Sequence, residues 1–204
     1  MSDALRELGE SVAAALPDDV LDVDIRHGEL AIAIRPAGLV KVLMHLRDDA
    51  DWMFKMLADM TAVDRPEREA RFELVYNLLS LKHNQRIRVK TSVDEDTPVE
   101  SATAVFSCAG WAEREVWDMF GVLFTGHADL RRLLTDYGFD GHPLRKDFPL
   151  TGYTEVRYDE AEKRVVYEPV SLVQDFRNFD FLSPWEGMTD QLPGDEKATD
   201  RGAA

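Results

Sequence analysis

The sequence predicts an α+β fold: a two-layer domain whose mostly antiparallel or mixed sheet carries helices on one face, followed by an extended C-terminal arm. Three observations predict it. Apolar residues recur at helical spacing in two early stretches, Leu5, Leu8, Val12, Leu16 and then Leu39, Val40, Leu43, Leu46. Period-two alternation marks strands at residues 21–25, 30–34 and 87–93. No internal repeat and no glycine loop of the GxGxxG or GxxxxGK type occurs, which argues against a nucleotide-binding parallel fold. Residues 1–150 read as the α+β core domain and residues 151–204 as the arm with a partly frayed tail.

The elements follow in order. Ser2 is placed to cap a first helix, which Pro17 stops because it lacks an N–H. Leu21, Val23 and Ile25 alternate with Asp22, Asp24 and Arg26, and the alternation resumes at Leu30 beyond His27 and Gly28, which predicts a hairpin. Pro36 breaks the second strand and an amphipathic helix runs to about Asp49. Trp52, Met53, Met56 and Leu57 suggest a short further helix, and residues 60–64 a brief strand ended by Pro66. Residues 71–82 are apolar on both faces, as a central strand is. The next strand exposes Arg86, Arg88 and Lys90, a basic row that suits a guarded sheet edge or an acidic neighbour. A short apolar piece at residues 102–106 leads into a helix over residues 111–120, which Gly121 is suited to end. A further helical turn is expected at residues 129–134, and a hairpin in the arm at residues 151–167.

Composition narrows the function. With 204 residues, 45% hydrophobic and 31% charged, the chain has enough length for a proper core. A net charge of −15 argues against nucleic acid, whose phosphates call for clustered Lys and Arg. The one cysteine, Cys108, excludes an internal disulfide, and without a CxxC or a spaced His/Cys set neither zinc nor a thiolate-held iron–sulfur cluster is expected. The start of the chain lacks a basic-then-apolar signal layout and no apolar run approaches membrane-spanning length. A cytoplasmic location is the expectation, with any membrane association made through partners.

The chemistry-bearing stretch is residues 111–150. It gathers Glu113, Arg114, Glu115, Asp118, His127, Arg131, Arg132, His142, Arg145, Lys146 and Asp147 among aromatics and glycines. An enzyme would use Glu113, Glu115, Asp118, His127 and His142 as metal ligands or acid–base groups, as in a metal-dependent hydrolase. Against that stands the near-balance of charge, which favours ion pairing over a metal site. Arg114 and Asp118, four residues apart, are expected to pair along the helix.

These residues also carry a resemblance. The string Glu113, Arg114, Glu115, then Asp118, Met119, Phe120, Gly121, then Gly126, His127, then Asp129, Leu130, Arg131, Arg132, and finally the run GHPLRKDFPL at residues 141–150 resemble the signature of the 30-kilodalton subunit family of respiratory complex I, the C subunits of NADH-quinone oxidoreductase. The resemblance reaches back to Thr61, Ala62, Val63, Asp64 and to residues 76–80, and spans about residues 30–160. Ala128 departs from it, where the family more often has Pro, and the chain resembles the stand-alone form and not the fusion with the D subunit. The resemblance implies a cofactor-free accessory scaffold of the peripheral arm of a proton-translocating NADH:quinone oxidoreductase. FMN and iron–sulfur clusters would then sit in partner subunits. Those partners would be the D subunit and the cluster-bearing subunits, at the cytoplasmic side of the bacterial inner membrane. The equivalent subunit of a membrane-bound hydrogenase-type complex is the nearest alternative. The block residues above become candidates for subunit contact. Phe176, Phe179, Phe181 and Trp185 in the arm join them, because so many large apolar groups without a clean period suit anchors on a neighbour as well as a fold-back.

Overall fold

The computed structural model describes residues 2–174, which fall in two compact units, residues 1–152 and residues from 153 onward. In the first unit, α1 (Ser2–Ala15) precedes the hairpin β1 (Val20–Arg26) and β2 (Glu29–Ile34). Helix α2 (Leu39–Asp48) leads to the meander β3 (Met56–Asp64), β4 (Phe72–Ser80) and β5 (Gln85–Val93). Helix α3 (Ala109–Phe120) follows a short 3-10 turn, Ala102–Ala104. The sheet order is β1-β2-β5-β4-β3, antiparallel except where β2 runs parallel to β5. A small parallel bridge joins β6 (Val99–Glu100) to β7 (Phe124–Thr125). The predicted α+β class, mixed sheet and one-sided helices are all found.

Register explains the one-sidedness. Ile32, Val89, Tyr76 and Met60 lie in one row across β2, β5, β4 and β3, and all are buried. The next rows add Ile34, Thr91, Leu74 and Ala62, then Leu30, Ile87, Leu78 and Leu57. Val12, Leu39, Leu43, Leu46, Val116 and Phe120 from the three helices complete the same cluster. The opposite face is mixed, with Val75 buried beside the charged residues, so β4 is apolar on both faces as expected. There the basic row of β5 meets acids of the flanking strands, Arg88 to Glu29 at 2.7 Å and Lys90 to Glu73 at 3.4 Å. Strand β5 is therefore the middle strand and not a guarded edge, and the acidic neighbour of its basic row lies within the sheet.

Three local expectations are corrected. The short helix around Trp52 is a turn: the Asp49 carboxylate accepts from the Asp51 N–H at 2.8 Å, Met53 adopts φ 47°, and the Phe54 N–H donates to the Leu46 carbonyl at 2.9 Å. That turn inserts Phe54 and Trp52 into the core and frees Met56 to begin a nine-residue strand. Leu21 does not share the buried face of Val23, because a bulge between Val20 and Asp22 turns it outward to 58% exposure. Residues 129–134 form no helical turn, for a reason given below. The Ser2 side chain lies outside those described. In the second unit β8 (Thr154–Asp159) pairs antiparallel with β9 (Arg164–Pro169), the hairpin expected of the arm. Phe176, Phe179, Phe181 and Trp185 lie outside the described residues.

Leu43 is fully buried between α2 and the sheet. Leu43→Ala should lower unfolding free energy by about 2–5 kcal/mol, read by denaturant titration. The same change at Leu21 should stay near zero, as expected of an exposed site.

Candidate functional site

Helix α3 is the spine of the site, and its two ends are closed by different parts of the chain. A helix leaves its last four carbonyls without intrahelical partners. Here each finds a donor. Gly121 N–H donates to Trp117 O at 2.8 Å, His142 Nδ1–H to Asp118 O at 2.9 Å, Leu144 N–H to Met119 O at 3.1 Å, and Arg145 Nε–H to Phe120 O at 2.6 Å. A carbonyl only accepts, so His142 carries its proton on Nδ1. Burial pushes the His142 pKa down, with Arg145 and Arg132 adding to the effect, against the opposing bond to Asp118 O. Gly121 sits at φ 83°, and a Cβ there would stand 2.6 Å from both Arg145 Nη2 and His142 Nε2. The run around His142 is thus a cap made from distant sequence.

Asp118 anchors the next layer. Its carboxylate is fully buried and accepts five hydrogen bonds. Oδ2 takes the N–H groups of Leu133, Leu134 and Thr135 at 3.0, 2.7 and 3.0 Å. Oδ1 takes the Thr135 hydroxyl at 2.6 Å and Arg132 Nη1 at 2.8 Å. Burial alone would raise the Asp118 pKa. The bonds from Thr135, Leu134 and Leu133 outweigh it and hold the carboxyl far below the ordinary carboxylate range. Three successive N–H groups aimed at one side chain cannot also build a helical ladder, which is why residues 129–134 stay irregular. The expected pair of Arg114 with Asp118 does not form. Arg114 instead donates to the carbonyls of Arg131 and Arg132, both at 3.1 Å.

The other end of α3 holds Glu113, fully buried, whose oxygens accept from the Ser101 hydroxyl and the Ala102 N–H, both at 2.6 Å. Burial raises its pKa, opposed by those two bonds and by His127. His127 Nδ1 accepts from the Asp129 N–H at 3.1 Å, so Nε2 bears the proton that it donates to Gly110 O at 3.0 Å. Tyr76 stands nearby on β4 with its hydroxyl buried and without a hydrogen-bond partner among the described residues; burial first and the Glu113 charge second push its pKa up.

A third cluster ties the segment to the sheet. Arg71 spans Asp64 at 2.7 Å, Glu95 at 2.6 Å and Asp147 at 3.1 Å. Asp64 also accepts the Lys146 N–H at 2.7 Å, and Arg145 reaches Glu95 at 3.1 Å. Both Arg71 and Arg145 lie over the Phe72 ring, at 5.3 and 5.1 Å. The Arg71 bond, against the cost of burial, holds Asp64 below its usual pKa.

The candidate residues therefore do not converge on one reaction centre. Glu113 ties α3 to residues 101 and 102, and His127 bonds the Gly110 carbonyl. Asp118 holds Arg132 and the loop after it, while His142 caps the C-terminal end. Arg145, Lys146 and Asp147 reach groups of β3, β4 and the loop after β5. Glu115 is exposed on the helix. Among the described residues no group of three acidic, His or Cys side chains is arranged to hold a metal ion. The hydrolase reading gains no support from this geometry: Asp118 is taken up by five donors, and exposed Glu115 is not brought together with His127 and His142 in any metal-holding group among the described residues. Ser101, Thr135, Asp64, Arg71 and Glu95 were not singled out as site residues from the sequence. Only Asp64 had left a signal, at the end of the family-like string that starts at Thr61.

Comparison with known proteins adds to this geometry. Residues 32–154 match the family described as respiratory-chain NADH dehydrogenase, 30 Kd subunit. The C subunit of NADH-quinone oxidoreductase from Paramagnetospirillum magneticum is 65% identical over 97% of this chain and 100% of its own. The protein of the same name from Rhodospirillum rubrum is 62% identical over 96% and 94%. Among solved structures, a chain of the membrane-bound sulfane sulfur reductase, an archaeal respiratory membrane complex, superposes with TM-score 0.61 at 26% identity, covering 71% of this chain and 85% of that one.

Removing the Asp118 acceptor strands Arg132 and three N–H groups, so Asp118→Ala should cost about 3–5 kcal/mol, measured by chemical denaturation. Because its folded pKa is depressed, its contribution is complete above the unfolded value of about 4 and is lost as pH falls below it. Asp64 and Asp147 share that sign. Asp118→Asn should therefore flatten, without abolishing, the acid limb of a stability–pH curve below about pH 4. An acid limb as steep as that of the unaltered chain would refute the assignment.

Proposed function

This chain belongs to the family of respiratory-chain NADH dehydrogenase 30 Kd subunits, and on that premise we propose that it is the C subunit of an NADH-quinone oxidoreductase. Its role there is that of a structural, cofactor-free scaffold of the peripheral arm. The observation that carries the assignment is end-to-end identity of 65% with a C subunit of that enzyme. The alternative, a hydrogenase-type complex, would follow from likeness to another respiratory assembly, but that likeness is 26%.

The scaffold role rests on where the charges go. Asp118, Glu113, Asp64, Arg132 and Arg145 are consumed in bonds that shape α3 and the segment after it. A catalytic carboxylate needs a free lone pair and room for substrate; Asp118 is fully buried and accepts five donors, and Glu113 is fully buried with a donor on each oxygen. No helix among the described residues is long and apolar enough to cross a membrane. In this reading FMN and the iron–sulfur clusters belong to partner subunits. The D subunit and the cluster-bearing subunits are the neighbours, and the complex holds the chain at the cytoplasmic side of the inner membrane.

Purification through a tag on this chain from its native membrane should bring down a flavin-bearing, NADH-oxidising subunit. A hydrogenase module in its place would overturn the assignment. The isolated chain should contain far less than one equivalent of iron, zinc or flavin by elemental and absorbance analysis; a stoichiometric amount of any would refute the scaffold role.

A further inference from the structure

The loop that Asp118 pins, residues 130–138, stands against α3 and frames a cavity of about 460 Å3. Trp117, Leu130, Leu133 and Tyr137 give it apolar walls, and Arg114 and Arg132 line it as well. Large apolar groups stand exposed in and around this segment: Trp111 is 65% exposed, Leu134 61% and Tyr137 fully exposed. Large aromatic and arginine side chains grouped in this way are the commonest residues of binding hot spots.

The cations differ in how they are neutralised. Arg132 has the Asp118 carboxylate, and Arg131 has Asp129 at 2.9 Å. Asp136, also at the cavity, is engaged in an interaction of its own. Arg114 is only 8% exposed, yet among the described residues its bonds run only to two backbone carbonyls and its guanidinium lies 5.1 Å over the Trp111 ring. The Asp129 carboxylate feels the charge of Arg114 but is already held by Arg131, and a desolvated guanidinium whose hydrogen bonds go to carbonyls favours a further carboxylate that can reach it. In a chain of net charge −15, the charged residues lining this cavity are Arg114, Arg131 and Arg132 against Asp136.

The occupant follows from that pairing. We propose that this cavity seats a polypeptide segment of a neighbouring subunit that places an apolar side chain between Trp117, Leu130 and Tyr137 and a carboxylate of an adjacent Asp or Glu against Arg114. The inference rests on the chain being a subunit of the complex. The receptor is pre-organised: Asp118 fixes the loop through residues 133–135, and two carbonyls fix the Arg114 fork. A fixed receptor loses little freedom on binding.

The test uses the full chain in its assembled complex. A photo-crosslinking benzoylphenylalanine installed in place of Tyr137 should capture one peptide, from a different subunit, with an acidic residue next to an apolar one. Capture of a second copy of this chain, of its own residues 175–204, or of no peptide would overturn the proposal. The double substitution Leu134→Ala and Tyr137→Ala, at exposed positions, should reduce co-purification of the captured subunit about tenfold while leaving the melting temperature of the isolated chain unchanged. Undiminished co-purification would also overturn it. If instead the unaltered chain brings down no NADH-oxidising subunit, it is the assignment to the complex that fails, and the two failures stay distinct.

Discussion

The ordering of the segment after α3 depends on one buried anion. Asp118 gives up its hydration for five donors, three of them consecutive backbone N–H groups. Oriented N–H groups of that kind ordinarily cradle a phosphate or a free anion. Here the anion is built into the protein and projects from a helix, so loop and helix cannot part without stranding a charge. The irregular backbone of residues 129–136 is the shape that serving this acceptor imposes.

The same economy runs through the rest of the charged block. At the C-terminal end of α3 a His, an Arg and a backbone N–H from residues 142–145 take over the carbonyls that a helix cannot satisfy alone. At the far side Arg71 gathers three carboxylates, from β3, the loop after β5 and the segment itself. A solvent-exposed ion pair would contribute little. Asp118, Asp64 and Arg71 are buried or nearly so and each has several partners, so they specify position more than they add stability, while Glu95 and Asp147 are exposed.

Much of the fold was legible in the sequence because periodicity reports which face is buried. The β1–β2 hairpin, α2, the β4–β5 pair and the end of α3 at Gly121 all follow from local pattern. Sheet order is a long-range property and was not legible: the basic row of β5 looks the same at an edge and in the centre, and only Glu29 and Glu73 on its neighbours tell the two apart. The turn at Met53 was missed because its apolar residues mimic a helix while Asp49 terminates one. At the site, the residue types were readable but their pairing was not. Arg114 and Asp118 have ideal helical spacing for each other, and both are drawn away by backbone groups more than a dozen residues downstream.

The span of one of these bonds bears on how the protein is made. Asp64 meets the Lys146 N–H across 82 positions of chain. At a synthesis rate of about 5–20 residues per second, Asp64 exists for roughly 4–16 seconds before that partner does. Its other partner, Arg71, follows only seven positions later. The residues of β3, β4 and β5, and the Arg71 partner of Asp64, are thus synthesised well before the segment that later joins them. Residues 127–148 are laid down late in this unit. Residues 130–138 thus act as a late latch on this unit, and the hollow beside Arg114 that they line forms only with them in place.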